Sequence, residues 1–141
     1  MTGNAPPSPT PNADSRPYWE ALAGGHVSAQ RCERCGAVHV YPVAGCQFCG
    51  GTAFSRVSLA GTGSIYSYTV IHRPPIPAFA GQTPYILAII DLEGGGRILA
   101  PVAMPTSEVR IGVRVRLAPQ SLADGIALPR FVADGAAAAP L

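Results

Sequence analysis

The sequence predicts a mainly β protein with a short N-terminal helix, a small cysteine-bearing module and a five-stranded C-terminal barrel. Three observations carry that expectation. Runs of β-branched and aromatic residues bounded by glycine and proline recur from Gly61 onward. Four cysteines stand upstream in two close pairs. Sixteen glycines and 15 prolines among 141 residues impose many turns, while 48% hydrophobic against 13% charged residues supplies the apolar surface of one compact unit.

All ten basic side chains are arginines, and a formal net charge of +2 gives no strong electrostatic footprint for nucleic acid or an anionic membrane. The N-terminus lacks a basic segment followed by an apolar run, and no stretch approaches the roughly 18 apolar residues of a membrane span. A cytoplasmic protein is therefore expected. In that compartment thiols stay reduced, so paired cysteines point to metal binding rather than to disulfides.

Residues 1–16, with Pro6, Pro7, Pro9 and Pro11 among small polar residues, hold too little apolar surface to offset the entropy of ordering them and read as a disordered tail. The next segment, 17–30, opens on Pro17-Tyr-Trp-Glu-Ala-Leu-Ala23, a short helix with proline in its first turn and Gly24-Gly25 as its stop. Tyr18 and Leu22 stand four residues apart, as do Trp19 and Ala23, which gives the helix an apolar side in need of a partner.

Residues 31–57 form the metal module. Cys32-Glu-Arg-Cys35-Gly36 and Cys46-Gln-Phe-Cys49-Gly50 are two matched knuckles with ten residues between the pairs. Two residues between cysteines let both thiolates face one ion at about 2.3 Å, and the following glycine accepts the positive φ of the tight turn. Four thiolates close a tetrahedron and leave no open position, so the expected cofactor is a structural zinc. Rubredoxin-like iron and a redox dithiol are the alternatives; the dithiol would need one such pair beside a βαβ unit, and none is present. His39 lies between the knuckles and, with four cysteines available, reads as a strand residue.

The span 58–134 reads as the barrel, with strands at Ser64–Ile71, Tyr85–Leu92, Arg97–Ala103, Val113–Leu117 and Leu128–Ala133. Gly94-Gly-Gly96 joins the second and third in a hairpin, Pro101 marks an edge or a bulge, and Ser107–Arg110 reads as a helical turn. That order matches the outline of an OB-fold, although an SH3-like barrel or an open sheet fits the pattern nearly as well. Residues 135–141 read as a flexible tail. Between the first two strands, the proline-rich loop from His72 to Pro84 is long enough to suggest function.

Candidate chemistry outside the cysteines is sparse. His72 and Arg73 at the mouth of that loop suit a phosphate or thioester, against the plainer reading of a solvated strand end. Asp91 and Glu93 read as acids that solvate a turn, and Gly94–Gly96 lacks the Gly-Lys-Ser/Thr ending of a phosphate loop. The sequence contains no nucleophile elbow and no paired carboxylates in an acid/base frame, so no catalytic residues are expected.

The aromatic helix with Tyr18-Trp19, the knuckles Arg31–Gly36 and Cys46–Gly50, and the runs Gly61–Val70, Pro84–Leu92 and Ile111–Val115 resemble the acyl-CoA-associated zinc-ribbon/OB-fold family. The resemblance implies a rubredoxin-like zinc ribbon followed by an OB barrel. It also implies a non-catalytic accessory subunit that docks on a thiolase-superfamily enzyme and helps form its acyl-CoA site. The four cysteines carry over directly. Tyr18, Trp19, Leu22, His72, Arg73 and Phe79 are the residues expected to meet ligand or partner. The competing reading is a free-standing module that binds acyl-CoA or single-stranded nucleic acid.

Overall fold

The computed structural model describes residues 5–135; the expectations for 1–4 and 136–141 lie outside the described residues. Helix α1 runs Arg16–Ala23, with Pro17 in its first turn. Asn12 and Ser15 brace the entry reciprocally: each side-chain oxygen accepts from the other's backbone N–H, at 2.8 and 3.0 Å. Further upstream, the Ser8 hydroxyl donates to Asp124, so part of the N-terminal segment meets the far end of the chain. The helix ends as the N–H groups of Gly24 and Gly25 close on Glu20 and Leu22 at 3.1 and 3.0 Å.

Strands β1 (Val27–Cys32), β2 (Val38–His39) and β3 (Phe54–Leu59) form an antiparallel sheet in the order β2-β1-β3. Five strands then close a barrel: β4 (Thr62–Ile71), β5 (Tyr85–Leu92), β6 (Arg97–Ala103), β7 (Arg114–Leu117) and, last in the chain, β10 (Phe131–Ala133). Their spatial order is β10-β6-β5-β4-β7, with β10 parallel to β6 and every other pair antiparallel. This closed five-stranded barrel preceded by a ribbon is the OB-fold arrangement, and it removes the SH3-like and open-sheet alternatives.

Side chains alternate as the strand period demands: Ile86, Ala88, Ile90 and Leu92 of β5 all point inward. Pro101 stands opposite Leu87, and β10 pairs with β6 only from Val102 onward, so the proline meets an open edge. The expected helical turn at 107–110 is a single hydrogen-bonded turn instead, closed by Glu108 N–H on Pro105 at 3.0 Å. The expected fifth strand is split. Ala127–Leu128 (β9) pairs with Gln120–Ser121 (β8), and the chain joins the barrel only after Pro129, whose missing N–H cannot continue a ladder.

One core runs through ribbon, helix and barrel. Tyr18 and Leu22 of α1, Val27, Ala29 and Val40 of the ribbon, and Ile65, Ile90 and Phe131 of the barrel belong to a single buried cluster. The hairpin turn after β5 makes the junction. Gly94, Gly95 and Gly96 all have positive φ, and added Cβ atoms would lie 2.6 Å from Leu59, 2.9 Å from Val38 and 2.9 Å from Val40. The glycine triplet therefore seats the ribbon on the barrel.

Candidate metal centre and flanking grooves

Each knuckle is a tight turn fixed by its own backbone. Gly36 N–H closes on Cys32 carbonyl and Gly50 N–H on Cys46 carbonyl, both at 2.8 Å, with φ of +77° and +76° at the two glycines. The cysteine at the end of β1 is thereby brought to face its counterparts on the second loop. Gly51 passes beneath them: a Cβ there would sit 3.3 Å from the sulfurs of both Cys32 and Cys49.

The four Sγ atoms lie within 4.8 Å of one another, with Cys32 and Cys49 at 3.5 Å and Cys35 and Cys46 at 3.6 Å. Disulfides require about 2.05 Å, so these are four thiols. A tetrahedral zinc with Zn–S bonds of about 2.3 Å has sulfur–sulfur edges of about 3.8 Å, close to the observed spacing. All-thiolate donors suit zinc, and the closed set of four assigns the ion to folding rather than to chemistry.

The thiols titrate unevenly without an ion. Cys32 is lowered to about 7, first by the backbone N–H of Cys35, with Arg34 N–H and the neighbouring thiols adding to it. Cys35 also accepts a backbone N–H, from Ala37, but desolvation and its three sulfur neighbours together push it up to about 12. Cys46 is lowered too: its desolvation is outweighed by the backbone N–H groups of Phe48 and Cys49 and by the Cys35 and Cys49 thiols, so negative charge gathers on closely spaced sulfurs that repel one another. A dication removes that conflict and lets all four act as thiolates.

His39 lies on a strand, as expected, and has close company there. It is buried on β2 with Nε2 3.3 Å from Cys46 Sγ, its ring stacked on Phe48 and edge-on to Phe54 at centroid distances of 5.8 and 5.9 Å.

Two surface grooves flank the barrel. One, of about 490 Å³, is chiefly apolar and lies between Phe79 of the 3₁₀ turn Pro77–Gln82 and the outer faces of Tyr85, Leu87, Pro101 and Leu128. The other, about 630 Å³, opens between ribbon and hairpin, with His39, Tyr41 and Phe48 on one wall and Asp91 and Arg97 on the other. Arg97 donates to Asp91 at 2.5 Å and covers the Tyr66 ring at 3.6 Å from its centroid.

Of the residues expected to meet ligand or partner, Phe79 lines the apolar groove. His72 and Arg73 are exposed beyond the end of β4 and do not line it. Tyr18 and Leu22 correct the expectation: 3% and 0% exposed, they spend their apolar surface inside this chain and offer none to a partner. Trp19 is half-buried, edge-on to Tyr18 and Tyr41. Sequence reasoning missed Phe48, 71% exposed at the tip of the second knuckle, although a large apolar residue between two ligand cysteines was a readable signal. It also missed Tyr66, turned outward by a bulge between Ile65 and Ser67 that no residue pattern announces.

Fold and site together define a class: a structural zinc ribbon seated on an OB barrel. The comparisons name it more closely. Residues 19–55 match the rubredoxin-like zinc ribbon domain of ChsH2, and residues 56–120 match its C-terminal OB-fold domain. The chain is 36% identical over 112 residues to a probable enoyl-CoA hydratase alpha subunit of Thermomonospora curvata, a match covering 79% of this chain and 34% of that protein. It is 38% identical over 87 residues to a DUF35 domain-containing scaffold protein of Methanocaldococcus jannaschii, covering 60% and 61%. Among solved structures, a chain of the Ltp2-ChsH2(DUF35) aldolase superposes with a TM-score of 0.75 at 32% identity, covering 90% of this chain and 99% of that one. The protein belongs to the ChsH2/DUF35 family of zinc-ribbon and OB-fold proteins. It spans about a third of the length of the hydratase subunit it matches.

Proposed function

We propose that this chain is a non-catalytic accessory subunit of a thiolase-superfamily enzyme and helps form that enzyme's acyl-CoA site. The observation that carries the reading is its near end-to-end likeness to a chain of the Ltp2-ChsH2(DUF35) aldolase. The closed shell of four cysteines, which suits folding and offers no reacting position, also supports it. So does the apolar groove beside Phe79, whose walls suit an acyl chain better than a charged group. The likeness to part of a probable enoyl-CoA hydratase alpha subunit fits a chain that serves an acyl-CoA enzyme.

The nucleic-acid reading has less support. Arg97 and Arg114 are engaged with Asp91 and Glu93, and Arg130 is buried with its Nε on the Ala118 carbonyl at 2.8 Å. Those engagements leave the barrel without a clear basic stripe.

The test is co-expression with the thiolase-superfamily enzymes of the same genome. Co-elution as one complex, with acyl-CoA binding tighter in the complex than in either protein alone, is the expected result. Separate elution counts against the accessory role, and equally tight binding by the isolated chain favours the free-standing module.

A further inference from the structure

We infer that His39 is a positioning residue for the metal centre, donating its Nε2–H to the Cys46 thiolate. Nε2 lies 3.3 Å from Cys46 Sγ, and the imidazole is 7% exposed. Its attitude is fixed independently of that contact, by the stack on Phe48 and the edge contact with Phe54. Its backbone is fixed as well, since His39 is paired with Gln30 of β1. A ring clamped in this way presents one nitrogen to one sulfur and has little freedom to turn aside.

The chemistry selects the tautomer. A zinc-bound thiolate carries no proton and can only accept, so the nitrogen facing it must be the protonated one. Donation to a thiolate is a charge-assisted bond, which draws charge from the sulfur and fixes its direction toward the ion. The other cysteines receive only backbone help: Gly51 N–H reaches Cys49 Sγ at 3.4 Å, and the amides of Cys35 and Ala37 reach Cys32 and Cys35. His39 is thus the side-chain donor to the centre among the described residues. It also lines the groove between ribbon and hairpin, which places a metal-linked group on that wall.

Two variants of the full-length zinc-loaded chain separate donation from packing. Phenylalanine keeps the ring between Phe48 and Phe54 but has no N–H, whereas glutamine loses the ring but can place an amide nitrogen near the Nε2 position. Transfer of zinc to a chromogenic chelator is expected to be about 10–100-fold faster in His39→Phe and within about threefold of the parent in His39→Gln. A parent-like rate in His39→Phe overturns the inference. The cadmium-113-substituted parent gives a readout that does not depend on how either variant folds. A proton–cadmium correlation through the His39 Hε2···Sγ contact is expected, and a nitrogen-15 spectrum with the proton on Nδ1 overturns the assignment.

Discussion

Arg97 lies over the Tyr66 ring at 3.6 Å from its centroid while its Nε donates to Asp91 at 2.5 Å, so one guanidinium joins β6 to both β4 and β5 on the outer wall of the barrel. Asp91 and Arg97 are directly opposite in the ladder, and the bulge at Tyr66 brings the ring into reach. Both charged side chains remain about half exposed, at 52% and 45%, and solvent screens the pair. Arg97→Ala is therefore expected to leave the urea-unfolding midpoint close to that of the parent. A large drop in the midpoint would show that the pair holds the barrel together rather than decorating it.

Leu22 presents the opposite case. It is fully buried on α1 and packs in the cluster shared by ribbon and barrel, so truncation leaves a cavity where all three meet. Leu22→Ala is expected to destabilise the chain by about 2–5 kcal/mol in the same unfolding measurement. An effect below about 1 kcal/mol would mean that the helix is not part of the folded core.

Gly63 marks a close approach between strands. A Cβ there would lie 2.2 Å from the Asp91 carbonyl oxygen and 3.1 Å from Ile90 Cγ2, and a backbone oxygen in a closed ladder cannot give way. Gly63→Ala is expected to cost at least about 2 kcal/mol or to prevent folding. Gly81, with open space around it, is the control, and Gly81→Ala is expected to stay within about 0.5 kcal/mol of the parent. Similar stability in the two variants would refute the close approach.

These three sites show what the residues alone could tell. The cysteine spacing, the glycine stops and the β-branched and aromatic runs follow from local rules, and the ribbon and barrel strands were legible for that reason. Burial of Tyr18 and Leu22 was not, because an apolar helix side is the same in sequence whether it packs on its own barrel or on a partner. His39 does lie on a strand outside the ligand set, as its place between the knuckles suggested, but its approach to Cys46 was not legible, because a ligand count says nothing of what stands behind the four cysteines. The glycine triplet reads in sequence as a hairpin turn and no more. Its reason lies in Leu59, Val38 and Val40, residues remote from it in sequence.

Glu93 supplies a pH signature. The Thr62 hydroxyl at 2.6 Å, followed by Arg114, stabilises its carboxylate and lowers its pKa from the ordinary 4.5. Because the folded value is the depressed one, the stabilising effect is complete above the ordinary glutamate range and is lost as pH falls through the depressed midpoint. Carbon-13 titration of the Glu93 carboxyl is expected to give a midpoint below 4.5, and Thr62→Val should move it upward. An unchanged midpoint in that variant would remove the hydroxyl as the leading cause.

Removing the metal tests how far ribbon and barrel depend on each other. The ribbon sheet contributes Val27, Ala29, Val40 and Leu59 to the shared core, too few side chains to fold it alone, so the bound ion must supply much of its stability. The barrel closes by its own ladders around Ile65, Ile90 and Phe131. Chelation or Cys46→Ser should therefore expose the β1 amides to hydrogen exchange first, while those of β5, paired on both sides, stay protected longest. The thermal midpoint is expected to fall by more than about 15 °C, because the barrel loses the covering that Leu59 and Val40 provide. Zinc content should drop below about half an equivalent in Cys46→Ser, since three thiolates leave the shell incomplete. Retained metal with unchanged exchange in β1 would contradict the centre. Simultaneous loss of protection in β1 and β5 would instead show one cooperative unit, with the ion holding the barrel as firmly as the ribbon.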